Sequence, residues 1–159
     1  MIKKGERRNN MRLWHKDLIS VLPREQLTGA WRECSAIAGA ILKNGTPNHV
    51  LVNKVLDYPI SHFISYSKLI RAEMTRRGYR TMQSVEDKIV SLYPNYLLVD
   101  KDKLYSPWHN DRYLMQCYYN LQEKYDYGGI PQEDWDKIEK KMHQLEEVRY
   151  NKMQLKENK

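Results

Sequence analysis

The chain has 159 residues, 41% hydrophobic and 30% charged, and its 27 Lys and Arg outnumber its 20 Asp and Glu for a net charge of +7. That length suits a single domain with one core, and no apolar run approaches the roughly 18–20 residues needed to cross a bilayer. The first residues carry charge with no apolar stretch behind it, which speaks against a secretory signal; with no export signal, Cys34 and Cys117 are expected to be reduced core residues.

Residues 1–10 hold one apolar side chain after the first Met and no periodicity, so they form an extension outside the fold, disordered or not native to the protein. Gly5 to Asn10 can be encoded by a purine-rich stretch containing AGG-AGG shortly before an ATG, as in a translated bacterial ribosome-binding site. The expected native start is therefore Met11. Dropping the extension removes four cations and one anion and leaves a net charge of +4.

Leu13 to Leu22 is short and mixed and ends at Pro23. Pro23 suits the first turn of a helix, where its missing N–H costs nothing. The helix then runs from about Arg24 to Lys43, with an apolar stripe of Leu27, Trp31, Cys34, Ala38 and Ile41, and stops at Asn44-Gly45. Val50 to Leu56 reads as a short helix or turn. Pro59 opens a second long helix, roughly Ile60 to Arg77, with Phe63, Tyr66, Ile70 and Met74 inside and Gly78 as its stop. A shorter helix is expected over Ser84 to Tyr93, with Ser84 as N-cap, and Tyr96 to Val99 reads as a brief strand. A third long helix starts at Trp108 or Asn110 and reaches Tyr125 before Gly128-Gly129. The last runs from about Pro131 to Leu155, with Trp135, Ile138, Met142, Leu145 and Val148 on one side. This pattern predicts an all-α domain of three long helices plus shorter ones over 11–130, with a C-terminal helix, 131–159, packed on it.

Positive charge draws a chain toward polyanions, because phosphate contacts release condensed counterions. The excess is concentrated between Lys54 and Arg80, where six cations face two anions. On the first long helix, Gly29, Glu33, Ala36 and Ala40 share the face opposite the apolar stripe. Small residues there let another helix pack closely, with Glu33 at the rim. They equally let a sugar, a backbone or a chain terminus approach a carboxylate. Arg32 and Glu33 diverge by about 100° on a helix and need not pair. His15, His49, His62, His109 and His143 show no ligand spacing, there is no CxxC, and neither a metal nor an organic cofactor is expected. Tyr113, Tyr118, Tyr119, Tyr125 and Tyr127 suit base stacking or core packing, core being favoured for Tyr118.

The segment Leu18 to Leu27 followed by Ala30-Trp31-Arg32-Glu33 resembles the opening of the endonuclease V type pyrimidine-dimer glycosylase family, in which a helix carries an aromatic-Arg-Glu triplet. Lys68-Leu69-Ile70-Arg71 through Arg76-Arg77-Gly78-Tyr79 resembles the family's second helix, and Met11-Arg12-Leu13-Trp14-His15 is similar to the start of its bacterial branch. The resemblance covers about Met11 to Tyr79, only loosely His109 to Lys124, and nothing from Pro131 onward. It implies a monomeric DNA-repair glycosylase with AP-lyase activity on double-stranded DNA, placed in the cytoplasm with the nucleoid. An α-amine at the chain start, here that of Met11, would attack C1′ and form a Schiff base. Glu33 would stabilise the cationic sugar and assist proton transfer. Arg12, His15, Gln26, Arg32, Lys68, Arg71, Arg76 and His109 would contact DNA. The family's usual nucleophile is a threonine exposed by loss of the initiator, whereas Arg12 follows Met11. If the α-amine is blocked, a lysine such as Lys16 would have to replace it. The alternatives are a non-catalytic nucleic-acid-binding protein that kept the fold, and a helical interaction module with Glu33 at a packing rim.

Overall fold

The computed structural model describes residues 12–49 and 52–158, so expectations for residues 1–11 and for Val50 and Leu51 lie outside the described residues. Five α-helices follow in order: α1 (Arg24–Asn44), α2 (Ile60–Arg76), α3 (Gln83–Val90), α4 (Asp111–Asp126) and α5 (Gln132–Glu157). Two 3-10 turns, Lys16–Val21 and Asn53–Asp57, fill the connections before α1 and α2. Among the described residues no strand is present, and the fold is all-α. No described helix is long and apolar enough to cross a membrane.

The helix ends follow local chemistry. Gly45 closes α1 at φ 74 with its N–H donating to the Ile41 carbonyl at 2.8 Å, a left-handed cap that glycine adopts without Cβ strain. α2 ends at Arg76, with Arg77 as its C-cap before Gly78 at φ 80, and the Arg77 guanidinium donates to the Leu22 and Ser20 carbonyls at 2.8 and 3.1 Å. This ties the end of α2 to the chain entering α1. Asn110 caps α4 by accepting from the Tyr113 N–H at 2.9 Å.

Two expectations are corrected. Ser84 does not cap α3: the helix begins at Gln83 after an extended Met82, with no side-chain cap. Gln83 instead donates to Asp87 at 3.0 Å, one turn on. Tyr96 to Val99 is not a strand, since its backbone is satisfied by side chains of α2. The Val99 N–H donates to the Ser65 hydroxyl at 2.9 Å and the Leu97 N–H to that of Ser61 at 3.4 Å. With those donors occupied there is no ladder to build.

α1 packs against α2 and α3, and α5 rests on the 16–21 turn. The stripes meet in one core: Leu27, Trp31, Cys34 and Ala38 of α1 and Phe63, Tyr66, Ile70 and Met74 of α2 are buried, with Leu13, Trp14, Leu18 and Leu22 from the leading segment. Cys34 and Cys117 are free and buried. The Tyr66 hydroxyl, deep in this core, donates to the Trp14 carbonyl at 2.7 Å and so pins the leading segment to α2.

α5 docks over its first half only. Trp135 and Ile138 are buried, and Trp135 stacks on Tyr125 with ring centroids 4.8 Å apart. Val148, expected on the inner stripe, is exposed, as are Tyr150, Met153 and Leu155. Trp135→Ala should therefore cost about 3–5 kcal/mol, whereas removing residues 150–158 should cost under about 0.5 kcal/mol, because those side chains meet water in either state. Denaturant unfolding of the two variants checks this. A truncation as costly as Trp135→Ala would mean that α5 is docked along its whole length.

Candidate active site

Glu33 lies in the middle of α1, one turn from Gly29 and one from Ala36. That face lines a cavity of about 930 Å³ bounded by Trp14, Glu25, Gln26, Gly29, Ala30, Arg32, Glu33, Ala36, Lys124, Tyr127 and Gly129. That size falls within the range of small-ligand sites. The small residues at 29, 30 and 36 thus give access to a carboxylate.

The Glu33 carboxylate accepts a hydrogen bond from the backbone N–H of Arg12, at 3.1 Å from Oε2. Burial raises its pKa to about 7, against the opposing pull of the Arg12 N–H and the positive charges of Lys124, Arg12 and Arg32. Desolvation wins because none of those charges forms a close ion pair with it: among the described residues no Lys or Arg side-chain nitrogen lies within 4 Å of the Glu33 oxygens. A carboxyl poised near neutrality can both accept and return a proton.

The cations near the cavity are held by contacts that leave their charge intact. The Arg12 guanidinium lies over the Trp14 ring at 5.7 Å, and Lys124 Nζ lies over the same indole at 5.8 Å. Arg32 lies back along α1, where a Cβ built on Gly29 would meet its guanidinium at 3.8 Å. Gln26 Oε1 is buried with no donor among the described residues, an acceptor left open at the cavity wall.

The α4–α5 turn forms the opposite wall. Gly128 takes φ 81, and the Gly129 N–H donates to the Lys124 carbonyl at 2.7 Å. A Cβ at residue 129 would sit 3.2 Å from that same oxygen, so a larger residue there would have to push the turn open by a few tenths of an ångström. Tyr127 projects from the turn with its ring exposed. Tyr113, Tyr118 and Tyr125 are engaged inside: Tyr113 donates to the Leu13 carbonyl, Tyr118 to Glu139, and Tyr125 stacks on Trp135.

The remaining expected site residues lie elsewhere. His15 and His109 are both buried, with stacked rings 5.0 Å apart. His109 Nδ1 accepts the Lys16 N–H at 3.0 Å, and burial, with His15 and Lys16 adding to it, lowers its pKa to about 2. His15 caps the 16–21 turn by accepting from the Asp17 N–H at 3.1 Å. Buried, and with each Nδ1 accepting a backbone N–H, neither imidazole lines the Glu33 cavity. Lys16 Nζ is likewise committed, donating to the Leu104 and Asp102 carbonyls at 2.8 and 3.2 Å, so it cannot stand in as a reactive amine. Lys68 and Arg71 converge on Glu86, and Arg76 and Arg77 on Glu73. Each carboxylate cancels half the charge of its two cations, and none of these side chains lines the Glu33 cavity. Met11 lies outside the described residues. Among those residues no group of three or more His, Cys, Asp or Glu side chains is arranged to hold a metal.

Trp14, Lys124 and Gly129 escape a reading of the sequence. Trp14 reads as core, and Lys124 reads as an ordinary basic residue in the last turn of a helix. The turn glycines read only as a stop.

A half-buried carboxylate with a raised pKa thus faces a cavity that Arg32 and Lys124 also line. Residues 11–87, just under half of the chain, match the family model described as pyrimidine dimer DNA glycosylase. The segment that supplies Glu33, Arg32, Gln26 and Trp14 lies within that match. No curated protein and no solved structure matches the chain.

The raised pKa has a stability consequence. Folded Glu33 holds its proton up to about pH 7, whereas in the unfolded chain it would lose it near 4.5. Its contribution to stability is therefore fully present below about pH 4.5 and is lost as pH rises through about 7. Glu33→Gln should be more stable than the parent above about pH 7, on the order of 1 kcal/mol after allowance for solvent screening, and the gain should vanish near pH 4.5. Thermal melts at the two pH values check this. A Glu33→Gln protein that is less stable at both would mean that the carboxylate is satisfied, not strained.

Proposed function

We propose that the chain is a DNA-repair glycosylase with AP-lyase activity that acts on pyrimidine-dimer or abasic sites in duplex DNA through a Schiff base with an N-terminal amine. The observation that carries this reading is the bond between the Glu33 carboxylate and the Arg12 nitrogen. Arg12 directly follows Met11, the residue at which the family match begins. In a chain starting at Met11 the α-amine would lie next to that contact. A terminal amine has a pKa near 8, so part of it is neutral and nucleophilic at physiological pH.

The amine attacks C1′; the C1′–N bond to the base breaks and the departing base takes up a proton. The nitrogen lone pair then opens the sugar ring to an iminium, an electron sink that a hydroxyl nucleophile cannot provide. Loss of a C2′ proton expels the 3′ phosphate and cuts the strand. Glu33, ionised, stabilises the cationic sugar and can receive that proton. Arg12 and Arg32 supply positive charge to the strand, Gln26 Oε1 accepts from a donor on the displaced nucleotide, and Tyr127 offers a ring for stacking.

Borohydride trapping on abasic duplex DNA tests the reading, with a Met11-start protein beside the full chain and Glu33→Gln. A covalent adduct mapped to the Met11 amine is expected. Glu33→Gln should lower the cutting rate at least about 100-fold. Activity should rise from about pH 6 to 8, since both Glu33 and the amine must lose protons, and Glu33→Gln should keep only the upper limb. Neither adduct nor nicking from either form would overturn the lyase reading and leave a helical DNA binder.

A further inference from the structure

We propose that Lys124, from outside the family-matched segment, grips a backbone phosphate beside the sugar that faces Glu33, so that α4 and the α4–α5 turn complete the site begun by α1. The inference rests on the function proposed above and adds a residue that neither the family match nor the motifs of residues 11–79 contain.

Three observations converge on it. Lys124 lines the same cavity as Glu33, from the opposite wall. Its ammonium has three donors, yet among the described residues no carboxylate or carbonyl accepts from it; its one close partner is the face of the Trp14 ring at 5.8 Å. An aromatic face attracts a cation without cancelling its charge, so the ammonium is held in place and left open to an anion. Its backbone carbonyl, finally, accepts from the Gly129 N–H at 2.7 Å, in a turn where a Cβ at residue 129 would come within 3.2 Å of that oxygen.

This treatment is unlike that of four of the six cations in the basic run between Lys54 and Arg80. Lys68, Arg71, Arg76 and Arg77 each meet a carboxylate. Lys124 is kept apart from one, although Glu33 lies across the cavity and feels its charge. The chemistry that suits an uncancelled cation facing a protonatable carboxylate is a phosphodiester. The phosphate sits on the lysine, and the sugar attached to it is carried toward the carboxylate.

The test uses the full chain and the Met11-start form with Lys124→Ala and Lys124→Arg, on duplex DNA with one abasic site. Lys124→Ala should lose about tenfold or more in kcat/KM, as expected when a charge-assisted bond to substrate is removed, and Lys124→Arg should recover most of it. The slope of log binding constant against log salt should fall in magnitude by about 1 in Lys124→Ala and return in Lys124→Arg. A residue that merely packs would not move that slope. The Glu33-dependent limb of the pH profile should also shift upward in Lys124→Ala, since a cation that favours the ionised carboxyl has been removed. If the parent cuts DNA and Lys124→Ala matches it in kcat/KM and in salt slope, the proposal is wrong. If the parent does not cut at all, the reading of function fails, and the salt slope alone still decides whether Lys124 touches a phosphate. Folding of each variant is checked by its thermal melt.

Discussion

The arrangement depends on a carboxylate that the fold takes out of water without giving it a charged partner. An isolated ionised carboxylate is costly to bury, and here the cost is met in part by one backbone N–H, that of Arg12. That bond brings the leading segment across α1. Two others hold the segment in register: the Tyr66 hydroxyl on the Trp14 carbonyl, and His109 on the Lys16 N–H. The buried histidines belong to this frame. Neutral and stacked, they fix the first turn of the chain relative to α2 and α4, and so place residue 12 over Glu33.

The charge of the molecule divides into two populations. On α2, Lys68 and Arg71 share Glu86, and Arg76 and Arg77 share Glu73, in contacts that lock α2 to α3 and to the chain entering α1. These are structural ion pairs with a modest residual field. Around the cavity, Arg12 and Lys124 lie over one indole and Arg32 lies along its own helix. Net charge alone does not separate the two; whether a carboxylate is in reach does.

Most of the helical layout is legible in the sequence, because the signals are local. Pro23 and Pro59 open α1 and α2, Gly45 and Gly78 close them, and spacing of three and four picks out the buried faces. Ser84 and Tyr96 to Val99 misled for different reasons, the first local and the second a partner distant in sequence. Gln83 found Asp87, and Ser61 and Ser65 of α2 took the N–H groups that a strand would have used. Half of the candidate site was legible because its signal is local too, since Gln26, Gly29, Arg32, Glu33 and Ala36 sit on one helix face. The other half was not. Trp14 and Lys124 are 110 positions apart, and nothing in either neighbourhood announces the other. The fate of the basic run was also hidden, because Glu86 becomes the partner of Lys68 and Arg71 only once α3 folds back.

The cavity therefore has two origins within one chain. Its floor, with the carboxylate, comes from the segment shared with the family, and its far wall comes from the turn after α4. The contact that fixes this wall, Gly129 on Lys124, lies within the turn itself and not between turn and floor. Substitutions at Tyr127 or in the turn can thus reshape the entrance while the carboxylate and its N–H stay in place. Such a division lets the cavity's entrance vary, in a few residues near 127, independently of the carboxylate at its floor.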